Sequence, residues 1–232
     1  MKNILLSGLI LSALLSFMLV QCQSTWQGGN LTTEVKALLD TLAEKDQALK
    51  ILDLYEKNQF IWLSLTGELH AVDHKGTEHT KLLYSSKHWN DVTFVEDFCL
   101  NATRDSIYFT DLMDLQSGKG AIKLTDIKGT QIHTLTTLDN EIPYQLWLHN
   151  EQQKLYFLAK KINRGHNEYL LRYFDLQKDQ KGTIYASTAK IESLRFDGVQ
   201  QLLILNDSQN RQLAFSTEHI KPAALAENLL SQ

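Results

Sequence analysis

Proline and cysteine are nearly absent, with two of each in 232 residues. Cys22 and Cys99 are too few for a disulfide framework or a thiolate metal centre. Glycine is sparse at 11 residues, and neither a glycine-rich phosphate loop nor a Gly-x-Ser-x-Gly nucleophile turn occurs. No basic run interrupts a formal charge of −4, which argues against nucleic acid or an anionic lipid surface as partner. Sequons at Asn30, Asn101 and Asn206 are about as many as chance gives, so they do not support glycosylation. What is present is 43% apolar residues, enough for one globular domain with a sizeable core and short appendages.

The one long apolar run is Ile4 to Val20, softened by Ser7, Gly8, Ser12 and Ser16 and preceded by Lys2. A basic start, an apolar stretch and a processing site describe an export signal over residues 1–22, not a fold element. Leu19-Val20-Gln21-Cys22 resembles a bacterial lipobox, which implies that Cys22 is acylated and becomes the mature N-terminus. Gln21 departs from that pattern, where Gly, Ala or Ser normally stands. Two other readings stay open: cleavage after Ser24, and an uncleaved anchor, 17 residues being the short end of what spans a bilayer. All three take the domain out of the cytoplasm, and the expected location is the periplasm, lipid-anchored to the outer membrane through Cys22.

Residues 23–57 read as a tether followed by helices. Gly28-Gly29 marks the flexible part. Thr32 or Thr33 can cap a helix carrying Glu34 in its first turn, with Val35, Leu38, Leu39 and Leu42 as one apolar stripe. From Asp46, Leu49, Leu52 and Tyr55 continue the helical spacing. The stripe either packs on the β domain or receives a partner.

Over residues 58–217 a unit recurs. Ile61-Trp62-Leu63, Ile107-Tyr108-Phe109, Leu155-Tyr156-Phe157 and Leu202-Leu203-Ile204 align as strands, 46, 48 and 47 residues apart. Three following strands end in Asp73, Asp126 and Asp175, each before a lysine-containing turn, with glycine at Gly76 and Gly129. A period in the high forties with about four short strands marks a propeller blade. The expected fold is therefore mainly β: a small or incomplete β-propeller of about 3.5–4 blades, with an N-terminal helical segment and a short C-terminal helix over 218–232. The first unit reads as lacking a strand before Ile61.

Ile107-Tyr108-Phe109-Thr110-Asp111, Asp126-x-x-Gly129, Pro143-x-x-Leu146 and Leu155-Tyr156-Phe157 together resemble the YWTD-type propellers of lipoprotein receptors and their bacterial relatives. The resemblance implies a structural motif, with aromatics packed between blades and a locally hydrogen-bonded Asp. The other units depart from it, with Leu158-Ala159, Ser64-Leu65 and Leu205-Asn206 where Thr-Asp would stand.

Recurrence suggests that each turn aspartate caps its own hairpin and that the set does not form one active site. His70, His74 and His79 invite a metal reading, but His70 and His74 lie about 13 Å apart along a strand. We read them as surface histidines, with no metal and no cofactor. Cys99, between Phe98 and Leu100, reads as a buried thiol. Trp62, Trp89, Tyr144 and Trp147 either line a ligand face or pack between blades. Met113 to Lys119 and Lys160 to Asn167 are the longest insertions and leave the blade at one position, where propeller partners bind. Tyr144, Trp147, Arg164 and His166 are thus the candidate partner-binding residues, and no catalytic residue is assigned. The expected function is a non-enzymatic envelope protein that binds another envelope or secreted protein, as an accessory subunit or an immunity- or inhibitor-type lipoprotein. The rival is a hydrolase or lyase on a propeller scaffold, which needs acid and base groups from several blades to converge.

Overall fold

Alternating apolar and polar residues between tight turns build short antiparallel strands, and in this computed structural model they form four sheets. The structure describes residues 33–44, 47–163 and 166–217. The export segment with Cys22, the tether, Arg164 and the expected C-terminal helix lie outside the described residues. The chain divides into two compact units, Met1–Val95 and Glu96–Gln232.

The first unit holds helix α1 (Thr33–Glu44) and one sheet of β1 (Ala48–Leu54), β2 (Gln59–Ser64), β3 (Leu69–Asp73) and β4 (His79–Leu83) in sequence order. The helix does form on the Val35, Leu38, Leu39, Leu42 stripe, which packs on Phe60, Trp62, Val72 and Ile51. Leu42 is 2% exposed, and burying one such side chain stabilises by roughly 1.5–3 kcal/mol. The helix expected from Asp46 onward is instead strand β1, paired antiparallel with β2 from Leu54↔Gln59 to Ala48↔Ser64. That strand is the one missing from the first repeat, so this sheet has its full four strands. Leu49 and Leu52 fit either period, and pairing with β2 decides between them.

The second unit holds three sheets in chain order. The first has β5 (Val95–Leu100), β6 (Ser106–Asp114), β7 (Lys119–Asp126) and β8 (Ile132–Leu138). The next has β9 (Glu141–His149), β10 (Lys154–Asn163), β11 (His166–Asp175) and β12 (Gln180–Ser187). The last has β13 (Ile191–Asp197), β14 (Leu202–Asp207) and β15 (Gln212–Ser216), three strands among the described residues. Two apolar clusters hold them together. One gathers Ile122, Leu146, Leu155 and Phe157; the other gathers Tyr156, Leu158, Leu171, Ile191, Leu203 and Leu205. The fold is mainly β, of the β-propeller class, with four blade-type sheets.

Strand pairing corrects the repeat alignment by one residue. Gln59, Ser106 and Lys154 stand opposite Asp73, Asp126 and Asp175. Phe60, not Ile61, is therefore the counterpart of Ile107 and Leu155. Because side chains alternate between faces, that single slip exchanges the core and outer sets.

The turn aspartates close their own hairpins. The Asp73 carboxylate accepts the Thr77 and Glu78 N–H groups at 2.6 and 3.0 Å and the Thr77 hydroxyl at 2.7 Å. Asp126 does the same with Thr130 N–H at 2.6 Å and Gln131 N–H at 3.4 Å. Both turns read Asp-x-Lys-Gly-Thr, and Gly76 (φ 73°) and Gly129 (φ 65°) supply the left-handed residue the turn requires. Asp175 accepts Gln177 and Lys178 N–H at 3.1 and 3.0 Å. Asp207 closes the β14–β15 turn through Gln209, Arg211 and the Arg211 side chain.

Candidate functional site

Consecutive sheets of the second unit are joined by a repeated side-chain-to-backbone bond. Asp97 on β5 accepts the Leu146 N–H of β9 at 2.7 Å, and Gln145 on β9 accepts the Leu194 N–H of β13 at 2.9 Å. Gln145 also donates to the Glu192 carbonyl at 3.2 Å. Thr110 of the Tyr-Phe-Thr-Asp motif holds Asp97 in place, accepting its N–H at 2.8 Å. Burial, with the Asp97 charge second, pushes the neighbouring Glu96 carboxyl up.

Two of the four residues expected to bind a partner lie in this joint. The Tyr144 hydroxyl donates to the Ile191 carbonyl at 2.6 Å, and burial raises its pKa. Trp147 stacks on Phe196 at 4.3 Å and on Tyr156 at 5.9 Å. Both side chains are half-buried between the second and third sheets of this unit. His166 is exposed at the start of β11, and Arg164 lies outside the described residues. Among the described residues, His166 therefore lies apart from Tyr144 and Trp147.

A basic side chain occupies the same slot of the third strand in three sheets, with His70 and Lys123 buried and Arg172 half-buried. Each faces an aromatic residue across the strand pair, Trp62, Phe109 and Phe157. Lys123 reaches the Asp111 carboxylate at 2.7 Å, with side-chain exposures of 3% and 0%. Arg172 pairs with Glu141. His70 stacks on Trp62 with ring centroids 4.2 Å apart and lies 3.5 Å from Glu68. Sequence reasoning took His70 for a surface residue and made no reading of Lys123 or Arg172, because a lone sequence does not reveal which acidic or aromatic partner a strand cation meets.

The surface-histidine reading holds for His79 alone. His70 is 5% exposed, and His74 is half-buried, 2.8 Å from Asp53. Among the described residues no group of three or more His, Cys, Asp or Glu is placed to hold a metal. Cys99 is half-buried and packs on the Ile122 and Leu155 cluster.

The two expected insertions are in part strand, with Leu115 to Gly118 the turn of the first and residues 164–165 of the second outside the described residues. They are extensions of the β6–β7 and β10–β11 hairpins, paired through Asp114↔Lys119 and Asn163↔His166, because continued pairing satisfies the backbone. Their ends meet: a Cβ on Gly118 would sit 2.9 Å from Ile162 Cδ1, so glycine permits the contact. Leu115, 66% exposed, sits at the β6–β7 turn beside this junction. In the first unit the corresponding β2–β3 turn exposes Leu65, and the segment after β4 exposes Trp89 to 79%. Leu65 and Leu115 are thus exposed at turns of the same rank within their own sheets, and Tyr55 and Val199 are exposed elsewhere.

No family model matches the chain, and no curated protein sequence matches it. Solved structures do. The allergen Mala s 1 of Malassezia sympodialis superposes with a TM-score of 0.54 at 8% identity, over 75% of this chain and 61% of that one. A chain of the nidogen/laminin complex gives 0.51 at 11% identity, over 74% and 64%. A putative TolB from Agrobacterium tumefaciens gives 0.49 at 13%, over 68% and 53%. The chain thus spans less than two thirds of each of these lengths. The first two likenesses support the propeller class and nothing finer.

Proposed function

We propose that this is a non-enzymatic cell-envelope protein that binds another envelope or secreted protein through the turns between the second and third strands of its sheets. The observation that carries this is the β6–β7 and β10–β11 rim. Its hairpins extend as paired strands, lock at Gly118 and Ile162, and leave Leu115 and His166 outward. A rigid rim with an exposed apolar residue loses little entropy on docking. Acylated Cys22 holds the domain at the outer membrane, and the role is that of an accessory subunit or an immunity- or inhibitor-type lipoprotein. The YWTD-type likeness enters only as blade chemistry, through Thr110 and Asp111. Native electrophoresis of detergent-solubilised envelopes tests the binding reading. The wild-type chain is expected in a complex with a second polypeptide. The Leu115→Asp, His166→Glu variant is expected to leave that complex with its melting temperature unchanged. A variant that stays in the complex overturns the rim assignment.

A further inference from the structure

In the first unit, helix α1 has a direction relative to the sheet. One end of the sheet holds Leu54, Gln59, Asp73 and His79, through the pairs Leu54↔Gln59, Gln59↔Asp73 and Val72↔His79. The other holds Ala48, Ser64, Leu69 and Leu83. A Cβ on Gly76, in the β3–β4 turn, would sit 3.2 Å from Leu38 Cδ1, so the early helix lies at the first end. Glu44 is followed within four residues by Ala48, a span of at most about 14 Å, so the last turn lies near the second end. Thr33 precedes Leu38 by about 7.5 Å of helix rise, and the chain towards Cys22 therefore leaves from the first end.

That end presents an aromatic residue on a fixed turn. Tyr55 is 76% exposed and opens the β1–β2 turn. Asn58, at φ 53°, closes the turn by donating its N–H to the Tyr55 carbonyl at 3.1 Å. The Asn58 carbonyl accepts the His74 N–H at 3.0 Å, and His74 Nε2 lies 2.8 Å from Asp53 Oδ1, so the turn is tied to the residue after β3. The exposed charges around it balance, Lys57 and Lys75 against Glu56 and Glu78.

We infer that this end of the first unit rests on the phospholipid surface that holds Cys22, with the Tyr55 ring in the headgroup layer. The inference rests on the acylation of Cys22 proposed above. Thr33 follows Cys22 by 11 residues. A chain of that length spans at most about 40 Å and on average about 20 Å, roughly the length of one strand of this sheet. The first end is thus kept beside the bilayer, and the second, with Leu65 in the β2–β3 turn, is directed away from it. Tyrosine suits the headgroup layer, because its ring is apolar while its hydroxyl meets water and phosphate. With its charges balanced, this end fits a zwitterionic surface and needs no anionic lipid, in keeping with a sequence that has no basic run.

Photo-crosslinking tests it, in the full chain purified from membranes and reconstituted in phosphatidylcholine vesicles. A photoreactive amino acid replaces Glu56, beside Tyr55, or Leu65, 51% exposed at the other end. Both positions are exposed, so the fold is retained, and the melting temperature checks this. Mass spectrometry should find a phospholipid adduct at least about threefold more often at position 56 than at 65. Tyr55→Ser should remove most of that bias with the melting temperature unchanged. Equal yields from an acylated chain, or a higher yield at position 65, overturn the inference. So does an adduct at position 56 formed only with a second copy of the chain, or a bias that survives Tyr55→Ser. The same spectra read Cys22, and a mature chain without acyl groups overturns the anchor and this inference together, so the two failures are told apart.

Discussion

The Asp97 carboxylate of β5 accepts the Leu146 N–H of β9 at 2.7 Å, and the Gln145 side chain repeats that bond to Leu194 at 2.9 Å. Both pairs are 49 residues apart, so the blade period appears a second time as a joint between sheets. Leu146 is buried, and removal of its acceptor leaves an N–H unsatisfied. Asp97→Ala should cost about 1–3 kcal/mol in denaturant titration, and Asp97→Asn, which keeps an oxygen, less. Equal losses would show that the charge, and not the acceptor, makes the joint.

The turn carboxylates give the protein an acid limit. Burial pushes Asp126 up, but hydrogen bonds from Thr130 and Gln131 outweigh it and hold the carboxyl below its usual range. At Asp73 the Glu78 N–H and the Thr77 hydroxyl do this; at Asp114 the Ser117 hydroxyl leads. A depressed folded pKa gives stability that is present above the unfolded value, about 3.9, and lost as pH falls through the folded one. Stability should therefore begin to fall below about pH 4. Asp126→Ala should cost about 0.5–2 kcal/mol at neutral pH and flatten the acid slope. Lost partner binding at an unchanged melting temperature would instead make Asp126 part of a site.

The Asp111–Lys123 pair is enclosed, so removing one partner should cost far more than removing both. Lys123→Met leaves a buried carboxylate without its cation and should cost about 3–5 kcal/mol. Asp111→Leu combined with Lys123→Met should recover most of that loss, measured as a double-mutant cycle. A fully additive cycle would mean that the two charges do not depend on each other.

The repeat was legible because its turns carry chemistry: Asp73 and Asp126 each precede a glycine by three residues, and the blade strands are apolar enough to align. β1 was not, because Ala48–Leu54 satisfies a helical spacing as well as a strand, and only its partner β2 resolves the choice. The one-residue error at Phe60 has a related cause: Phe60-Ile61-Trp62-Leu63 is apolar throughout and gives no alternation to fix the register. Tyr144 and Trp147 resisted assignment for another reason. An aromatic residue in a strand is equally suited to a ligand face or to a neighbouring sheet, and Ile191 and Phe196, which meet them, lie 47 and 49 residues away in sequence.

The proposed anchor has a direct chemical readout. Mass spectrometry of the mature protein from membranes should find an acylated Cys22 followed by Gln23. A free N-terminus at Thr25 would replace the lipoprotein reading with soluble secretion.

The central claim is that the turn rim meets a protein partner. Photo-crosslinking in living cells tests it most directly, with a photoreactive amino acid placed singly at Leu115, His166 and Val199. Leu115 and His166 should yield an adduct of one common mass, and Val199, the more exposed position, should yield none. Adducts at Val199 alone, or none at Leu115 and His166 in a folded chain, would contradict the claim.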